Sequence, residues 1–461
     1  MSALPLRRPL MRTGATTHDA FSESCLSQHR RHNGTGLSAR WISHTARRLS
    51  WVQDAEEASD GADRRLSGRI HIMGLGNVGC FFAHSLASRQ SRPPITLLLH
   101  RPSLYADWRR RKQSIALNIN GLDDIKTGFD VNVLDRNTWY SLPYAEGKQS
   151  SGDSHVNDYG DLDQSRPDDE KIESLIVTTK AQDSVAALRP ISHRLTPDST
   201  VCLVQNGMGA IEEINEKIFP DPSRRPHYMM GIISHGLTQL ETFRVAHNGI
   251  GTTILSPIPA TKETPLNATG GGADPEPDWA PSTKYLLKTL TLCPPLVAVA
   301  ETPTNFLQYQ LEKLAMNCVI NSLTVLLNCK NGELLHNYNI TRAMRLLLLE
   351  VSAVIRALPE LQGVPGINTR FAPERLKNMA VNLAQRTARN TSSTLADVQR
   401  AKKTEVKHIN GYIVRRGEEL GIACPLNYFV MQLIQARADI EEKRNNAAVP
   451  LDLSALKDEE M

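Results

Sequence analysis

The run RIHIMGLGNVGCFFAHSLAS, which begins at Arg69, constrains the fold of this 461-residue chain more than any other stretch. Its first apolar residues read as a short buried strand, three glycines mark a turn, and an apolar helix follows. Gly74, Gly76 and Gly79 stand at G-x-G-x-x-G spacing. Glycines so placed allow a tight turn, let the backbone approach a pyrophosphate, and let the helix pack closely on the strand. The helix N-terminus adds unpaired N–H groups and a partial positive charge. Gly74, Leu75, Gly76, Asn77, Val78 and Gly79 are therefore candidate dinucleotide-binding residues.

Further strands are predicted at ITLLLH (95 to 100), IESLIVTTK and TVCLVQNG, with the helix-like SVAALRPISHRL between the last two. Strands alternating with helices imply a parallel sheet. At the end of the second strand, where an NAD enzyme usually carries Asp or Glu for the ribose hydroxyls, this chain has His100 and Arg101. A cation there suits a 2′-phosphate, so NADP(H) is favoured over NAD, with Arg101 as its contact. Arg109, Arg110, Arg111 and Lys112 are open to two readings, further phosphate contacts or a solvated helix face. Lys180 in TTKAQD and Asn206 in QNGMG each follow a predicted parallel strand, the edge at which open α/β sheets bind ligands. RVAHNGIGTTIL reads as a hairpin turn around Asn248 and Gly249.

From about Thr304 the pattern is helical. In KLAMNCVINSLTVL, residues 313 to 326, Lys313, Asn317 and Asn321 recur every four residues and, with Thr324, share one stripe of a helix. A solvated face normally carries better helix formers than Asn, so the stripe is either such a face or a polar wall around a ligand with Lys313 as its charge. In TSSTLADVQRAKKTEVKHINGYIV, Ser393 is placed to cap a helix, and Thr404 and Glu405 to begin another.

Composition narrows the alternatives. The formal net charge is only +4, and basic residues concentrate near the N-terminus, which argues against a nucleic-acid surface. Seven scattered cysteines without CxxC spacing suggest reduced thiols, neither a disulfide framework nor a metal site. No run approaches the roughly 18 apolar residues of a membrane helix. The first 50 residues are rich in Arg and poor in acids, as in a mitochondrial transit peptide or a disordered basic tail. The expected organisation is a disordered or transit segment over 1–65, an α/β domain over 66–303, a helical domain over 304–442 and a charged tail over 443–461. Surface insertions are expected at 145–171 and 260–282.

Taken in order, GLGNVG, TTKAQD, QNGMG, HNG, KLAMNCVINSLT and SSTLADVQRAKKTEVKHINGYIV resemble the ketopantoate reductase (2-dehydropantoate 2-reductase) family in a fungal-like, extended form. The resemblance runs from about Ile70 to about Leu433. It implies an α/β Rossmann-type N-terminal domain, an all-α C-terminal domain like that of 6-phosphogluconate dehydrogenase, and an active site between them. It implies NADPH reducing a small 2-oxo acid to its alcohol, with 2-dehydropantoate as substrate, in pantothenate and coenzyme A synthesis. It makes Lys313 the general acid and Glu405 the partner of the substrate's hydroxyl, with Asn317, Asn321, Ser393 and Asn248 lining the pocket. It assigns Asn206 to cofactor and substrate near the nicotinamide, and Lys180 to the cofactor side. Asn77-Val78 and the two insertions depart from compact members. Alternatives are a paralogue acting on another branched 2-oxo acid and a non-catalytic dinucleotide sensor. A second copy of the chain is the macromolecular partner considered, and the mitochondrion or the cytoplasm the location.

Overall fold

The computed structural model describes residues 66–144, 167–259 and 279–447. The arginine-rich segment expected to be a transit peptide or a basic tail, most of both expected insertions and the end of the charged tail lie outside the described residues.

The α/β part runs β1 (Ile70–Met73), α1 (Asn77–Ala87), β2 (Ile95–Leu99), α2 (Pro102–Arg110), β3 (Ile115–Ile119), β4 (Leu122–Lys126), β5 (Asp130–Asp135), β6 (Thr138–Leu142) and β7 (Ser174–Val177). It continues through α3 (Ser184–Leu188), β8 (Thr200–Val204), α4 (Ala210–Lys217), β9 (His227–Ile233), β10 (Gly236–Glu241), β11 (Arg244–Gly249), β12 (Thr253–Ile258), α5 (Pro281–Thr291) and β13 (Ala298–Ala300). Helices then follow without another strand among the described residues: α6 (Pro303–Leu327), α7 (Tyr338–Ala357), α8 (Ile367–Arg370), α9 (Pro373–Arg386), α10 (Ser393–Gln399), α11 (Asn410–Glu419) and α12 (Pro425–Ala447).

The main sheet has nine strands in the order β13-β12-β9-β8-β7-β1-β2-β5-β6. From β9 to β5 all pairings are parallel. Read outward from β1, this is the dinucleotide-binding strand order, with its reversal point between β1 and β7. Every residue of β1, β2, β7 and β8 is buried, as expected of parallel strands covered on both faces.

The parallel sheet expected from these strands forms this centre, and β6 and β12 extend it antiparallel. A separate four-stranded sheet, β10-β11-β3-β4, was not anticipated. Its β4, LDDIK, exposes four of its five residues and has no buried-strand pattern to find. Asn248 and Gly249 end β11, which pairs with β10 and β3, so no hairpin turns at them. The hairpin bend lies earlier, between Glu241 and Arg244. The insertion boundaries also need correction. Ser282 belongs to α5 and is buried with Thr283, both within 2.8 Å of Thr200 Oγ1, and Asp168 is joined to Arg194 and Asn132.

Helix α6 begins with Thr302 accepting from the Asn305 N–H and Pro303 in the first turn, and ends at Asn328 in the left-handed region. Its 25 residues span about 38 Å at 1.5 Å rise per residue. It is buried on nearly every side, with Leu311, Ala315, Cys318 and Val319 in the helical core. The solvated-face reading of its polar stripe therefore fails: Asn321 is 8% and Thr324 0% exposed. Thr324 bonds back to the Ile320 carbonyl and to Ser392, which accounts for it structurally.

Candidate active site

The glycine turn follows directly from β1. Gly74 has φ +93°, and a Cβ there would lie 2.6 Å from the Thr179 N at the end of the neighbouring parallel strand. A Cβ on Gly79 would lie 2.2 Å from the Gly74 carbonyl, so α1 packs against the turn as only glycine permits. At Gly76 a Cβ would meet nothing within 4 Å. The N–H groups of Asn77, Val78 and Gly79 have no hydrogen bond among the described residues, and the first turn of α1 carries no acid. Leu75 is buried beneath the turn. Open space over Gly76 and three free N–H donors on a helix N-terminus fit a pyrophosphate.

Arg101 stands at the N-terminus of α2, just past β2, exposed and without a side-chain partner among the described residues. In the basic cluster beyond it, Arg110 pairs with Asp107 and Arg111 with Glu241, which favours a structural reading for both.

At the next strand ends, loops from the sheet meet the helical part. Lys180, after β7, pairs with Asp397 of α10 at 2.7 Å and donates to the Lys403 carbonyl at 2.8 Å. Asn206, after β8, donates to Glu405 Oε2 at 3.1 Å. Gly207 has φ +81°, and a Cβ there would be 2.7 Å from both Cβ and carbonyl oxygen of His408. The Met208 N–H donates to that same carbonyl at 2.9 Å, so the Asn-Gly pair lets the two segments touch.

Glu405 is 6% exposed, and burial raises its carboxyl above the ordinary range against the opposing pull of Asn206 and Lys180. It was expected to begin a helix. Only a single 3₁₀ turn, Val406–His408, follows it, and its side chain makes no cap. Lys313 is half-buried on α6 and donates to the Ile233 carbonyl at 2.9 Å. Burial brings its ammonium down to about 8, while the charge of Glu405 works in the opposite direction. One helical turn on, Asn317 is half-buried and has no side-chain partner among the described residues; next, Asn321 donates to Ser393 Oγ at 3.4 Å. Ser393 was expected to cap α10. Ser392 does so instead, accepting from the Leu395 N–H, which leaves the Ser393 hydroxyl to Asn321.

Helix α6, the α10–α11 segment and the ends of β7, β8 and β9 thus bring together Lys313, Asn317, Asn321, Ser393, Glu405, Asn206 and Lys180. Asn248 has no hydrogen bond to that group: it is exposed and bonds to Thr238 in the outer sheet. Asp397 was missed, although it lies one turn beyond Ser393 on the same helix. The Ile233 carbonyl that receives Lys313 has no side-chain signal to find.

The ketopantoate reductase PanE/ApbA model matches residues 70–260, and the model of the same family's C-terminal part matches residues 305–438. The 2-dehydropantoate 2-reductase of Vibrio cholerae is 31% identical over 261 residues, covering 57% of this chain and 76% of that protein. The chain belongs to the ketopantoate reductase family. The probable 2-dehydropantoate 2-reductase of Schizosaccharomyces pombe is 28% identical, covering 83% of this chain and 100% of its own. A ketoisovalerate reductase of Gibberella fujikuroi is 26% identical, covering 75% and 77%. Among solved structures, a PanE/ApbA family ketopantoate reductase from Ralstonia eutropha has the same fold, with TM-score 0.55, 20% identity and coverage of 81% and 99%. Membership makes the chain an oxidoreductase of a family that uses NADPH.

Proposed function

We propose that this ketopantoate reductase family member reduces 2-dehydropantoate to pantoate with NADPH. The observation that carries this reading is the convergence of Lys313, Asn317 and the Asn206–Glu405 pair beside the glycine turn. When bound at the glycine turn, NADPH would supply the hydride that reduces the C2 ketone. Negative charge then develops on the ketone oxygen, where the Lys313 ammonium stabilises it by hydrogen bonding and delivers its proton, to be reprotonated from solvent. Desolvation suits the lysine to this task, since an ammonium near 8 is charged at neutral pH yet releases its proton more readily than a solvated one. Asn317, Asn321 and Ser393 offer neutral donors to the substrate carboxylate without a competing charge. Glu405, held by Asn206, accepts from the substrate's hydroxyl. Lys180 and Asp397 keep the sheet edge and the α10–α11 segment together.

The test is NADPH oxidation by the wild-type chain with ketopantoate, and with ketoisovalerate in comparison. No turnover of ketopantoate would overturn the reading. The Gibberella fujikuroi relative supports a second reading, reduction of a 2-oxo acid that lacks the hydroxymethyl group. Glu405 weighs against it, because a site that hydrogen-bonds a hydroxyl rejects the analogue without one. A faster reaction with ketoisovalerate would reverse that order.

Arg101 is proposed to hold the 2′-phosphate. Arg101→Ala is expected to reduce the preference for NADPH over NADH roughly ten- to hundredfold, the worth of about 1.5–3 kcal/mol for a hydrogen bond to a charged group. Steady-state kinetics with the two cofactors measures it, and an unchanged ratio would remove Arg101 from the site.

A further inference from the structure

We propose that Asn410 is a positioning residue, whose buried amide holds the Glu405 segment in register with the polar face of α6. The proposal rests on the reaction given above for what that register achieves, though not for the contacts that create it.

Glu405 stands on an irregular stretch. Between Gln399 and Asn410 the only regular structure is the 3₁₀ turn Val406–His408, and Ile409 is non-helical at φ −105°, ψ −91°. No ladder or long helix fixes where Glu405 lies. Its position must come from tertiary contacts, and these form on two sides. On the sheet side, the His408 carbonyl accepts from the Met208 N–H, two residues beyond Asn206. On the helix side, the Asn410 amide makes the attachment.

Asn410 is 1% exposed. Its Nδ2 donates to the Cys318 carbonyl at 3.1 Å and to Asn427 Oδ1 at 3.0 Å, and its Oδ1 accepts from Ser322 Oγ at 3.0 Å. Cys318 and Ser322 are the sequence neighbours of Asn317 and Asn321 on α6. Asn427 is fixed in turn by the Leu347 carbonyl at 3.2 Å and by Glu350 at 2.8 Å, both on α7. Both donors and the oxygen of Asn410 are therefore engaged, in a network reaching α6, α7 and α12.

A satisfied buried network of this kind permits few alternative arrangements, because a slip leaves polar groups unpaired in a low-dielectric core. Four residues separate the pinned amide from Glu405. A loose pin displaces the carboxylate from the face that carries Lys313 and Asn317, and a misplacement of about 1 Å can cost about a hundredfold in rate.

In Asn410→Ala, kcat/KM for ketopantoate is expected to fall roughly ten- to hundredfold, while NADPH affinity stays within about twofold of wild type. In the substrate-free protein, amide hydrogen exchange should become faster in residues 405–409 and 206–209. Ser322→Ala removes one of the three bonds and should move the same readouts in the same direction by a smaller factor. A folded Asn410→Ala protein with wild-type kcat/KM and wild-type exchange overturns the proposal, even if it melts at a lower temperature. Should Asn410→Ala fail to fold, unchanged kinetics and exchange in Ser322→Ala overturn it equally. The exchange measurement needs no substrate, so absence of ketopantoate turnover in wild type would overturn the proposed function and leave the pin to be judged by exchange.

Discussion

Lys313→Ala is expected to lower kcat for the 2-oxo acid about 10²- to 10⁴-fold, the usual worth of a positioned general acid, with NADPH binding little changed. The fold should survive, since the alanine is a better helix former and the lost hydrogen bond to the Ile233 carbonyl is a single one. The pH dependence follows from the same group. Burial lowers the Lys313 ammonium to about 8, so the acid form dominates below that pH, and kcat/KM in the reducing direction should fall as pH rises through it. The Glu405 charge raises the ammonium's pKa. Removing that charge in Glu405→Gln should therefore move the basic limb to lower pH, on top of any loss from the substrate's hydroxyl contact. A limb that stays in place would show that Lys313 is not the group titrating. Full activity of Lys313→Ala would remove it from the chemistry altogether.

The glycine turn predicts two different failures from two apparently equal substitutions. Gly79→Ala puts a methyl 2.2 Å from the Gly74 carbonyl and 2.7 Å from Thr178 Oγ1, so backbone must shift, and both thermal stability and cofactor binding should suffer. Gly76→Ala meets nothing within 4 Å, and Gly76 has φ −84°, which alanine adopts freely. Its melting temperature should match wild type. The methyl instead enters the open space at the turn, where a pyrophosphate bound to the free N–H groups would come close. Overpacking typically costs about 1–3 kcal/mol, so NADPH affinity should fall roughly ten- to hundredfold. Fluorescence titration and thermal unfolding of both variants separate the cases. Wild-type affinity in Gly76→Ala would move the phosphates off this turn.

Legibility in the sequence tracked how local each signal was. The strand, turn and helix around Gly74, Gly76 and Gly79 are contiguous, so spacing alone located them, and the fully buried parallel strands announced themselves as apolar runs. The outer sheet did not, because β4 is mostly exposed and β3 pairs with β11, more than a hundred residues away in sequence. Asn248 shows the same limit: an Asn-Gly pair resembles a turn, yet its strand takes its partners from β10 and β3. In the site, fourfold spacing found Lys313, Asn317 and Asn321. It could not tell Ser392 from Ser393, which differ only in which hydroxyl faces the Leu395 N–H. Nor could it find the Ile233 carbonyl, since a backbone acceptor carries no residue-type signal.

The hydrogen bond between Asn206 and Glu405 has an energetic consequence for selection. On the proposed reading, a substrate hydroxyl joins this pair without breaking it, because a carboxylate can accept a further donor beside the Asn206 amide. The added bond is worth about 1.5–3 kcal/mol, as is usual for a hydrogen bond to a charged group. Penalty would add to that gain. A substrate that fills the pocket without offering a hydroxyl would shut water out and leave the buried carboxylate with one partner fewer. One buried carboxylate would thereby both reward the hydroxylated acid and penalise its analogue.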